Sequence, residues 1–203
     1  MKALLYKDFL LLWKDGRGTA LFFAAMAVAS YLLQKGELAP INGFGLLYLL
    51  LIVPLDLDAH WLNTLPISPK ARVWSKYIEF WVLSLAHFLL VLAASVVSPS
   101  AAVTQAVLAA FLVYWAISLG ILTFFLPILA MFGTQNKTAY SLFFVACFLG
   151  YFGGLIPLGL VRESPLTVPD VLPYVGILWV TSVISVFLAV DQHRKAWQTG
   201  KMS

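Results

Sequence analysis

The sequence predicts an all-α integral membrane protein: an amphipathic helix lying on the membrane, then six transmembrane helices with both termini in the cytoplasm. Three observations carry that reading. Of 203 residues 62% are hydrophobic and only 11% are charged, with a mean hydropathy of +0.92, so the solvent of this chain is lipid. Six apolar stretches follow one another with short connections, most of them close to the roughly 20 residues that cross a bilayer core of about 30 Å. No soluble domain is left over, and residues 1–203 read as a single transmembrane domain. Finally, if the amino terminus is inside, Lys2, Lys7, Lys14, Arg17, Lys70, Arg72, Lys76, Lys137, Arg194, Lys195 and Lys201 fall on the cytoplasmic side, and only Lys35 and Arg162 fall outside. Such a bias orients both termini inward.

The interfacial helix is expected over 1–17. Leu5, Phe9, Leu12 and Trp13 share one helical face, and Lys7, Asp8, Lys14 and Asp15 the opposite one. Leu4 and Leu11 fall on the polar side and either pack under a neighbouring element of the same subunit or touch a partner. After Gly16 and Gly18, Thr19 to Leu33 forms a first span that is retained, since it lacks the short apolar core and small-residue cleavage site of a signal peptide. Gln34 to Asn42 is a turn, and a second, short span runs from Gly43 to Val53, where Pro54 ends or kinks it.

Next comes the sharpest polar break in the chain, Asp56 to Lys76. Asp56 or Asp58 suits the positive end of a short helix over 56–66, which Pro66 and Pro69 stop. Ser68 before Pro69 starts the third span well, because the serine oxygen accepts from an orphan amide and proline sits where no donor is needed. That helix is expected over Pro69 to Val97, beginning in water through Lys70, Arg72 and Lys76. Ser98 to Ser100 is a tight turn. The fourth span covers Val103 to Phe132 with a bend near Pro127, and the fifth covers Ala139 to Leu160. Arg162 to Pro173 reads as a proline-rich connection, Tyr174 to Val190 as the sixth span, and 191–203 as a basic cytoplasmic tail. Trp13, Trp61, Trp74 and Trp197 mark the same inner boundary, as interfacial tryptophans do.

The chemistry is sparse. No G-x-x-x-x-G-K-[ST] loop occurs, so the chain has no cradle for a nucleotide phosphate and is not expected to be an enzyme by itself. His60, His87 and His193 are far apart and Cys147 is alone, so no metal site, cofactor or disulfide is expected. The net charge of +4 reports topology, with no basic, aromatic soluble face for nucleic acid. Glu79 and His87, eight apart in the third span, form a candidate intramembrane polar site, although Glu79 lies three residues from Lys76 and suits a simple ion pair. Gly150 and Gly154 make a GxxxG pattern, suited to close helix packing within one subunit or across a dimer seam.

The entry segment MKALLYKDFLLL, the loop after the second span and the run LPISPKARVWSKYI together resemble the membrane (permease) subunit of type II ATP-binding-cassette exporters. The likeness is greatest to the compact six-span branch associated with peptide, bacteriocin or toxin export. At the level of motif it covers residues 1–15 and 56–78. The resemblance implies a bacterial cytoplasmic membrane protein that works as a dimer, with a second copy or a related permease, and takes ATP and Mg through a separate ABC ATPase. It makes the 56–66 segment a coupling helix against that ATPase, with Trp61, Leu62 and Leu65 as apolar anchors and Asp56, Asp58 and His60 as polar contacts. It places Gly150 and Gly154 near the dimer seam and allows a re-entrant break between Gly153 and Pro173. The substrate it favours is a peptide or another amphipathic compound. Two other functions fit a chain of this kind: the substrate-binding membrane component of a vitamin importer, and a proton-coupled carrier using Glu79 and His87.

Overall fold

The computed structural model describes residues 67–96, 101–132, 136–160 and 167–198, with single helical positions at 6, 10, 21, 25, 46 and 49. Four helices result: α1 Pro69–Val96, α2 Ala101–Phe132, α3 Lys137–Leu160 and α4 Val168–Gln198. Among the described residues three are long and apolar enough to cross a membrane, over Pro69–Ala93, Gln105–Phe132 and Val168–Ala196, while α3 is apolar over Lys137–Gly150. The interfacial helix of 1–17 and the first two spans lie outside the described residues apart from those single positions. Of these Tyr6, Leu10 and Leu21 are exposed, whereas Leu46 and Leu49 are buried in the apolar core.

Local chemistry explains each start. Ser68 caps α1: its hydroxyl oxygen accepts the Ala71 amide at 3.3 Å and its carbonyl accepts the Ala71 and Arg72 amides. Asn136 does the same for α3, with Oδ1 3.1 Å from the Ala139 amide. For α4 the carboxylate of Asp170 accepts from the Thr167 amide at 2.9 Å and from its hydroxyl at 2.6 Å, the return half of a capping box, while the Asp170 amide donates to the Thr167 carbonyl at 3.1 Å. This moves the start of the last span. The expected connection ends before Val168, because a proline in the first turn removes an amide that has no helical partner there, so Pro169 does not stop the helix. The other end moves too: α4 runs eight residues past Val190, with Asp191 bonded to Arg194 and Lys195 one turn on, where a basic tail was expected. The glycine-rich half of α3 remains helical to Leu160, and α2 continues through Pro127 to Phe132.

Side-chain pairs fix the directions of the helices. Trp74 meets Phe187, Tyr77 meets Ser185 and Trp81 meets Trp179, so α1 and α4 are antiparallel. His87 and Phe88 meet Phe111, while Phe88 also stacks on Trp115, so α1 and α2 are antiparallel. A Cβ on Gly120 would lie 3.9 Å from Leu178, and Ala130 meets His193, so α2 and α4 run parallel. Phe125 against Phe143, and Gly150 against Ile117 and Ile121, make α3 antiparallel to α2. Helix α2 is therefore central, touching the other three; among the described helices α3 touches α2 alone.

Candidate functional site

The alternating directions gather every described lysine and arginine at one end of the molecule. Lys70, Arg72 and Lys76 stand in the first two turns of α1, Lys137 at the start of α3, and Arg194 and Lys195 near the end of α4. The opposite end carries Asp170 as its single described charge. Lys70, Lys137, Arg194 and Lys195 are exposed.

Arg72 and Lys76 are not in water as the sequence reading expected; they are 2% and 4% exposed. The stripe Val73, Tyr77, Phe80, Ser84, His87 and Val91 follows a three-four spacing and turns that face of α1 inward, and the adjacent positions 72, 75, 76 and 79 go with it. The amino group of Lys76 bonds Glu79 Oε2 at 3.1 Å, with both side chains almost wholly buried. A buried charge must be compensated, and this pair removes two from the account of loose charges. His87 packs against Phe111 with the two rings tilted by 48° and their centroids 5.5 Å apart, about 12 Å along the axis from Glu79 at 1.5 Å per residue.

A second polar set ties α1 to α4. Ser185 Oγ donates to the Ser182 carbonyl at 2.9 Å, and a hydroxyl has one proton, so the Tyr77 hydroxyl is the donor in its 2.8 Å bond to Ser185 Oγ. Trp81 Nε1 donates to Ser182 Oγ at 3.3 Å, and its ring stacks on Trp179 at 5.4 Å. Sequence reasoning missed these serines. The signal was present in their three-residue spacing on one face of the last span.

Of the remaining expected residues, Asp56, Asp58, His60, Trp61, Leu62 and Leu65 lie outside the described residues. Gly150 sits tightly against α2: an added Cβ would lie 2.8 Å from Ile121 Cδ1 and 2.9 Å from Ile117 Cγ2. Gly154 lies one turn further along α3. Among the described residues no three of His, Cys, Asp and Glu gather as a metal site would require.

Comparison with known protein families matches residues 3–191 to the ABC-2 family transporter protein. Comparisons with curated proteins and with solved structures gave no match. With that match spanning nearly the whole chain, and with helices made to cross a bilayer, the chain belongs to the ABC-2 transporter family and is a multi-pass transmembrane subunit of an ABC transporter.

Proposed function

We propose that the chain is the permease half of an ATP-driven exporter: six spans, both termini in the cytoplasm, working as a dimer and coupled to separate ATPase subunits that hold ATP and Mg. Family membership supports the transporter reading. The observation that carries the orientation is the gathering of all described cations at one end, the pattern expected of a cytoplasmic face. The 56–66 segment immediately precedes α1 and so joins the molecule at this same end. In the proposed mechanism it is the coupling helix, with Trp61, Leu62 and Leu65 seated in the ATPase and Asp56, Asp58 and His60 around them. Helix α1 then passes the ATPase movement inward as a rigid lever, bonded to α4 through Tyr77 and Trp81. Gly150 and Gly154 serve helix packing, with the seam of the dimer close by, and the cargo is a peptide or another amphipathic compound of a bacterial cell membrane.

The burial of Glu79 against Lys76 favours this reading over a proton-coupled carrier, because a paired carboxylate has a structural task already. A vitamin-importer component gives no reason for the charged segment between Asp56 and Lys76. The test is Trp61→Ala. Loss of a central aromatic anchor costs about 2 kcal/mol or more of binding, so the variant should insert normally and lose co-purification of its ATPase by at least tenfold. Association and transport equal to the parent would remove 56–66 as the coupling helix.

A further inference from the structure

The end of α4 holds a feature that coupling through 56–66 does not use. His193 is fully buried, and its Nδ1 lies 3.2 Å from the carbonyl oxygen of Ala130. Ala130 stands in the last turn of α2, which ends at Phe132, so its carbonyl has no amide four residues on within that helix. A carbonyl can only accept, so the Nδ1 of His193 carries the proton and donates. The bond is thus a C-terminal cap supplied by one helix to another.

Its setting is one-sided. Ser182, Ser185, Val186, Ala189, His193 and Ala196 make a continuous buried stripe along α4. On the outer face Asp191 holds Arg194 at 3.0 Å and Lys195 at 2.6 Å, with the two cations more than 60% exposed. Ser182 and Ser185 of this stripe meet α1, and toward its end small Ala189 and Ala196 flank His193, the large polar group that meets α2 at Ala130. Helix α4 has 31 residues, about 46 Å at 1.5 Å per residue, against a bilayer core of about 30 Å. The helix is longer than the core by about 16 Å, and its charged residues at the basic end, Asp191, Arg194 and Lys195, suit the part that lies outside the hydrocarbon.

We infer that His193 is a positioning residue: its Nδ1–H fastens the last two turns of α4 to the last turn of α2 and makes Asp191–Gln198 a fixed projection. Under the functional reading above, this projection is what lets a partner at the basic end move α2 and α4 as one body. The bond to Ala130 is made by Nδ1, which gives it a chemical signature. In asparagine the amide nitrogen stands as many bonds from Cβ as Nδ1 does in histidine; in glutamine it matches Nε2 instead.

The test is backbone hydrogen exchange on the purified full chain in lipid nanodiscs, comparing parent, His193→Ala, His193→Asn and His193→Gln. The clamp predicts about tenfold faster exchange over 191–198 in the alanine and glutamine variants, as loss of one interhelical hydrogen bond allows. Asparagine should stay within about twofold of the parent, and 168–175 should be unchanged throughout. Equal exchange in parent and alanine variant would overturn the proposal, as would equal loosening by asparagine and glutamine. Faster exchange spread evenly to 168–175 would also overturn it, by showing a general loss of folding. Should the alanine variant fail to fold, the asparagine and glutamine pair still decides. No ATPase takes part, so a failed ATPase pull-down leaves this result standing and removes only the partner.

Discussion

The two ends of the helix set solve the same problem differently. At the basic end a buried ion pair, a buried arginine, an interhelical histidine cap and an exposed acid with two cations crowd into the outer turns of α1, α2 and α4. At the opposite end Thr167 and Asp170 form one local cap, and no other described charge is present. Of the features at the first end the histidine cap reaches from helix to helix, while the ion pairs lie within α1 and within α4; at the second the contacts around Asp170 start a single helix. Toward the opposite end α1 and α2 are joined by ring contacts of His87 and Phe88 with Phe111, whereas toward the basic end the links between helices include hydrogen bonds, from Tyr77 to Ser185 and from His193 to Ala130.

The largest way to break this contrast is Glu79→Leu. It leaves the Lys76 charge buried beside its lost partner, and such a removal costs about 3–5 kcal/mol, read as a large fall in the melting temperature of the chain in detergent. The double variant Lys76→Met with Glu79→Leu should recover most of that loss, since replacing both charges by apolar groups is close to neutral. Failure to recover would mean that the surrounding residues, and not the pair, set the stability there.

A smaller effect belongs to the opposite end. Thr167→Ala removes one hydrogen bond to the exposed Asp170 carboxylate and should speed backbone exchange by less than about tenfold, confined to the first two turns of α4. Spread of that exchange to α1 would contradict a purely local cap. Smallest of all is Asp191→Asn, which loosens an exposed pair and should leave the melting temperature within measurement error. A clear fall would show that Arg194 and Lys195 are held for a structural purpose.

Legibility in the sequence varied with how local the cause is. Ser68 with Pro69 marks the start of α1 to the residue, because a cap is a matter of a few neighbouring atoms. The same rule applies to α4 in Thr167-Val-Pro-Asp170, but Pro169 and Pro173 read as breakers by residue type alone. Hydropathy ended that span at Val190 since the next residue is charged, whereas a helix stops only when its backbone bonding stops, and Asp191 supports another turn through Arg194 and Lys195. Within the candidate site, the Lys76 and Glu79 pair was legible from a spacing of three. The burial of Arg72, the partnership of Tyr77 with Ser185 and the hold of His193 on Ala130 were not, since each depends on which helix lies alongside. Residues 56–66, the most distinctive segment in the sequence, lie outside the described residues.

The central claim is that the end bearing the cations faces the cytoplasm and meets the ATPase. It is tested most directly by single cysteines at Lys70, Lys137, Arg194 and Asp170, all exposed, in a Cys147→Ala background in intact cells. A membrane-impermeant thiol reagent added outside should label the cysteine at 170 and leave those at 70, 137 and 194 unlabelled until the membrane is opened. Labelling of 70, 137 and 194 from outside, with 170 protected, would contradict the account.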